Sequence, residues 1–167
     1  MKQQWEIDKA RADKYLPNVK AVMGLLFSSE TTKEEDCLEN SDLKIFTVKN
    51  NMKVAWRHRH TDYLEFFKYE VTFRSKRPNG TKTELQKIKE GFGDYFLYSC
   101  VENDSFLCVA IDLDKFRNLE KEDAPREIKN QDGSSSFVVL PYRNDKGYPK
   151  SFVMAMIRDL KVHWITH

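Results

Sequence analysis

Cysteine is scarce in this 167-residue chain: Cys37, Cys100 and Cys108, an odd number with no Cys-x-x-Cys spacing. That excludes a disulfide framework and a cysteine zinc site. Cys100 and Cys108 sit in apolar runs, as core cysteines do, and fit a reducing cytoplasm. No apolar run approaches the ~20 residues of a membrane span. The opening Met1-Lys-Gln-Gln-Trp-Glu6 lacks the apolar region of a signal peptide. The expectation is a soluble cytoplasmic protein with no membrane partner. Internal repeats and low-complexity tracts are also missing, and Ser134–Ser136 is too short for a linker. One domain spanning residues 1–167 is expected. A large excess of one charge is absent too: the net charge is +2, so the whole molecule is no polycation.

The chain does have 40% hydrophobic and 13% aromatic residues, enough for a packed core. Its charges, 32% of all residues, are unevenly placed. Residues 30–42 hold Glu30, Glu34, Glu35, Asp36, Glu39 and Asp42 against one lysine. Residues 44–89 hold twelve Lys and Arg against Asp62, Glu65, Glu70 and Glu84. Segregation of this kind suits a nucleic-acid surface, although solvated strand and helix faces produce it as well.

Apolar spacing predicts a helix over residues 5–27, divided at Pro17, which suits a first helical turn. A polar, acidic loop follows to Asn40-Ser41-Asp42. Asp42–Phe46 and Val54–His60 read as strands joined by a turn at Lys49–Met52. Tyr69–Arg74 is a third strand, Thr83–Glu90 a short helix stopped by Gly91 and Gly93, and Asp94–Cys100 a strand. Phe106–Leu113 pairs with it through Glu102–Ser105. A short helix is expected at Asp114–Leu119, a turn at Asn130–Gly133 and a strand at Ser136–Leu140. Residues Phe152–Leu160 are mixed, and Val162–Ile165 closes the chain.

Strand alternation puts Val54, Trp56, His58 and His60 on one face and Ala55, Arg57 and Arg59 on the other. Glu70, Thr72 and Arg74 share a face of the next strand. If the two strands are neighbours, Arg57, Arg59, Glu70 and Arg74 form a ladder. Cross-strand ion pairing accounts for part of it. The arginines outnumber the carboxylates, however, and Lys76, Arg77 and Lys82 follow, which makes the face ready for phosphates. His58 and His60 have a zinc-compatible spacing but no evident third ligand. Trp56, Trp164, Tyr63, Phe66 and Phe67 suit base stacking as well as packing. The Gly91-Phe-Gly93 stretch precedes a strand and reads as a helix stop, not a phosphate cradle.

The order of pieces resembles the core of the PD-(D/E)XK nuclease superfamily and, more narrowly, small phage and prophage proteins of that shape. The carriers are Asn40–Leu43, Val54–Arg59, Val71–Arg74, Thr83–Ile88, Gly91–Tyr95 and Asp132-Gly133 before Ser136-Phe137. The resemblance implies an α/β fold, a central mixed β-sheet flanked by helices. It also implies two acids that bind a divalent metal and a lysine that helps activate water. Asp42 matches the first acid. The Glu-x-Lys position falls on Ala55-Trp56-Arg57, where alanine binds no metal and arginine is a poor proton acceptor. The second acid would then be Glu70, with Glu84 in reserve and Lys82 or Lys87 as the lysine.

Two functions follow from the resemblance. In one, the chain is a Mg²⁺-dependent phosphodiester hydrolase acting on DNA, with Asp42 and Glu70 on the metal. In this scheme Lys82 and Glu84 complete the catalytic set, while Arg57, Arg59, Arg74, Lys76 and Arg77 bind the nucleic acid. In the other, the scaffold has lost the reaction and binds DNA or RNA. A third reading, from another class, is a phage protein that binds and inhibits or adapts a host protein through Tyr63–Phe67.

Overall fold

The computed structural model describes residues 2–26, 28–30, 43–45, 52–119, 126–130, 133 and 135–165. It is a mixed α/β architecture in which the central sheet is flanked by helices. Helix α1 (Lys2–Asp13) and helix α2 (Leu16–Leu26) break at the expected place, with Pro17 in the first turn of α2. There its missing N–H has no intrahelical acceptor to lose. Val19, Val22 and Leu26 recur every three to four residues and are buried.

Strands β1 (Ser28–Glu30) and β2 (Leu43–Ile45) pair with each other, antiparallel, as a separate two-stranded sheet. The expected hairpin between Asp42–Phe46 and Val54–His60 is therefore corrected. Strand β3 (Val54–His58) lies instead parallel to β5 (Tyr95–Glu102), in register Val54↔Tyr95 to His58↔Ser99. Alternation assigns the faces of a strand but carries no information about which strand lies beside it. Six consecutive buried residues in β5 mark a central strand, which needs a neighbour on each edge. Those neighbours are β3 and β6 (Ser105–Asp112). The full order is β10-β9-β6-β5-β3, with β9 at Val153–Arg158 and β10 at Lys161–Trp164.

A three-stranded antiparallel sheet, β4-β8-β7, forms the next layer. It comprises β4 (Glu70–Lys76), β7 (Arg126–Lys129) and β8 (Ser136–Pro141). The pleat of β5 and β6 divides the core accordingly. Leu97, Val101, Phe106, Cys108 and Ala110 pack with α2. Phe96, Tyr98, Val109 and Ile111 face Val71, Phe73, Val138 and Leu140 of the second sheet. Phe73 and Phe96 meet with ring centroids 4.9 Å apart across the interface. Cys100 and Cys108 are buried free thiols, one on each side of the five-stranded sheet. Burial raises both, Cys108 to about 12. No helix among the described residues is long and apolar enough to cross a membrane.

Between β3 and β4 the chain makes a 3₁₀ turn (Thr61–Tyr63) and the short helix α3 (Leu64–Phe67). Helix α4 (Glu84–Lys89) follows β4, and α5 (Leu113–Arg117) follows β6. The β5–β6 turn has Asn103 and Asp104 at φ 47° and 64°, the paired positive values that suit right-handed strand twist.

Candidate functional site

Residues of β3 point alternately to the two sides of the five-stranded sheet. Val54 and Trp56 pack in the cluster beneath α2, and the Trp56 Nε1–H donates to Ser99 Oγ at 2.8 Å. His58 follows on that side, its ring centroid 4.5 Å from that of Tyr15 and its Nδ1 3.0 Å from Ser99 Oγ. Burial, then the nearby Arg11 and His60, lower its pKa to about 4. The ring is thus neutral at physiological pH.

Arg57 and Arg59 point the other way, toward the second sheet. The Arg57 guanidinium ties the layers together. Nη1 donates to the Thr72 carbonyl of β4 at 2.8 Å, and Nη2 donates to Glu84 Oε2 at 2.6 Å. The same carboxylate oxygen accepts from the Arg74 backbone N–H at 3.3 Å. Glu84 holds that position because Thr83 caps α4. The Thr83 hydroxyl accepts from the Gln86 N–H, and the Gln86 side chain accepts from the Thr83 N–H. Burial lowers the Arg57 pKa, Glu84 opposes that shift, and Arg59 and Arg74 add to it. The Arg59 and Arg74 guanidiniums are therefore close enough to repel that of Arg57.

They border a cleft of about 470 Å³. Its walls also include Arg11 and Asp8 of α1, His58, His60, Asp62, Tyr63 and Phe137 of β8. Arg59 lies over the Tyr63 ring at 4.2 Å, and Arg74 over Phe137 at 5.4 Å, with Arg57 6.0 Å from the same ring. The Nε atoms of Arg59 and Arg74 are buried without a hydrogen-bond partner among the described residues. His60 Nδ1 stands 2.8 Å from Asp62 Oδ2 at the rim.

The anticipated site residues are only partly brought together. Arg57, Arg59 and Arg74 converge, though not as a cross-strand ladder, because β3 and β4 belong to different sheets. Glu70 is not their partner: its carboxylate stands 4.0 Å from Arg126 of β7. Lys82 pairs with Glu90 at 2.7 Å. Lys76 is exposed and outside the cleft, while Arg77 donates to Thr81 Oγ1 and lines a separate recess with Glu84 and Lys87. Asp42 lies outside the described residues.

The described residues offer no cluster of three or more His, Cys, Asp or Glu side chains for a metal ion. Glu84, the reserve acid, is engaged by Arg57. With Asp42 outside the described residues, the described ones alone do not assemble a set of carboxylates that would hold Mg²⁺. Sequence reading missed Arg11 and Phe137. Helix α1 contributes only Ile7 and Ala10 to the apolar spacing, too little to orient Arg11, and Phe137 reads simply as a strand residue. Comparison of the chain with protein-family models, with curated proteins and with solved structures found no match.

Proposed function

We propose that the chain binds nucleic acid through this cleft, as a phage or mobile-element module on a nuclease-like scaffold. Arg57, Arg59 and Arg74 hold phosphates, and DNA is the first partner to test, with RNA beside it. The observation that carries this reading is the convergence of three guanidiniums of which Glu84 neutralises one. Arg59 and Arg74 line the cleft and make no ion pair among the described residues. Like charges gathered this way cost stability unless an anion joins them, and planar N–H donors match phosphate oxygens. Tyr63 adds a half-exposed ring on which a base can stack.

The test is retention and cleavage of labelled single- and double-stranded DNA and of RNA at two salt concentrations, with Mg²⁺, Mn²⁺ or chelator. Binding is expected to be indifferent to chelator. Each phosphate neutralised on a single strand should contribute about −0.7 to the log–log salt slope. Arg59→Ala and Arg74→Ala should each weaken binding about tenfold, the equivalent of one charge-assisted contact. Failure to retain any nucleic acid at low salt would refute the reading. Metal-dependent cleavage that disappears in Asp42→Ala and Glu70→Ala would replace it with a hydrolase.

A further inference from the structure

Resting on the nucleic-acid reading, we infer that the cleft takes the terminal phosphate of a single strand, not the backbone of a duplex. The shape carries this. A surface for duplex backbone must spread its cations, because duplex charge is distributed every ~1.7 Å along the axis. Here the cations converge. Arg57 and Arg74 approach one ring, Phe137, from two different sheets, and Arg59 joins them from just past the end of β3.

The space they border, about 470 Å³, is walled on one side by α1 and on another by the Thr61–Tyr63 turn. Its volume falls in the ~300–1,000 Å³ range of small-ligand pockets, and the cleft stays open to solvent on its remaining side. A rod-shaped duplex has no part that enters such a pocket except an unpaired end. A strand end with a phosphomonoester does, and it brings about −1.5 to −2 charge and three strong acceptor oxygens. An internal phosphodiester brings one charge. Glu84 matches Arg57 and Asp8 stands 3.8 Å from Arg11, so of the four guanidiniums lining the cleft those of Arg59 and Arg74 are left to meet the phosphate, with Asp62 beside His60 at the rim. The Nε–H groups of Arg59 and Arg74 have no acceptor among the described residues, as is also true of Arg77 and Arg143 outside the cleft. Tyr63, 47% exposed beside Arg59, is placed for the first base behind the phosphate.

The experiment compares one labelled single-stranded oligonucleotide in three forms: 5′-phosphorylated, 3′-phosphorylated and hydroxyl at both ends. A circular single strand and a free mononucleotide serve as competitors. One or both phosphorylated ends should bind about tenfold or more tighter than the hydroxyl-ended strand, the scale of one further charge-assisted contact. Whichever end wins identifies the polarity. The preference should vanish in Arg59→Ala and Arg74→Ala, each checked for a native melting transition. It should persist in Lys146→Ala, in the exposed turn 144–147, outside the cleft.

Equal binding of all three forms, or equal competition by the circle, overturns the end-recognition proposal while nucleic-acid binding stands. Competition by free mononucleotide at the oligonucleotide's own concentration also overturns it, by assigning the cleft to nucleotides. If no strand binds at low salt, the nucleic-acid reading itself has failed.

Discussion

Arg57 is the residue on which the site and the layer packing both depend. Its side chain is 18% exposed and that of Glu84 23%, so water screens the pair only partly. Removing one member leaves the other largely buried and unmatched, which costs up to 3–5 kcal/mol at full burial. Arg57→Ala and Glu84→Ala should each lose about 2–4 kcal/mol, the residual exposure accounting for the discount. The double variant should lose clearly less than the sum, with a coupling of about 1–3 kcal/mol in a denaturant cycle. Strict additivity would mean that the bridge does not hold the sheets.

His58 gives a second expectation. Its folded pKa, about 4, lies below the unfolded value near 6.5. The unfolded chain therefore takes up this proton first as pH falls. Stability from the neutral ring is complete above pH ~6.5 and is lost progressively toward pH 4. Urea melts of His58→Gln should show a shallower fall between those values than the parent. Equal slopes would mean that the ring already titrates normally.

At the scale of elements, Gly93 controls how α4 hands over to β5. Its φ is 84°, and a Cβ there would stand 3.1 Å from Leu113 Cδ1. Gly93→Ala therefore meets both backbone strain and a side-chain contact, and should destabilise by more than ~1 kcal/mol in denaturant melts. A neutral result would show that the loop relaxes freely. Elements with local signals were legible in the sequence: the break at Pro17, the capped α4, the β5–β6 turn at Asn103-Asp104, and β8 with its closing proline. Strand β7 was not. All four of its residues, Arg126–Lys129, are exposed, so no apolar alternation marks them. Its strand character comes from pairing along β8.

For the whole molecule, the sequence carried the class of fold and the faces of its strands but not their neighbours. Alternation correctly sent Trp56 and Arg57 to opposite sides. It had no means of telling that β3 joins β5 while β4 leaves for another sheet, since both choices bury Val71 and Phe73 equally well. The consequence for the site was direct. An imagined ladder with Glu70 became a bridge to Glu84, and the remaining arginines were left facing a cleft. Lys76, Arg77 and Lys82, close in sequence to that cluster, lie outside the cleft: the register of β4 shifts between Arg74 and Lys76, and Arg77 and Lys82 fall in the loop between β4 and α4.

The parallel pairing of β3 with β5 has a temporal side. Residues 59–94 must be made and gathered before the first hydrogen bond between these strands can form, and Phe137 arrives later still. A chain emerging from the ribosome is surrounded by RNA while its arginines are already exposed. Because the cleft shared by Arg57, Arg59 and Arg74 is completed by Phe137 only after β8 has docked, the growing polypeptide lacks the arrangement of the finished one. Long-range topology thereby defers the assembly of the arginine cleft until synthesis has passed most of the fold.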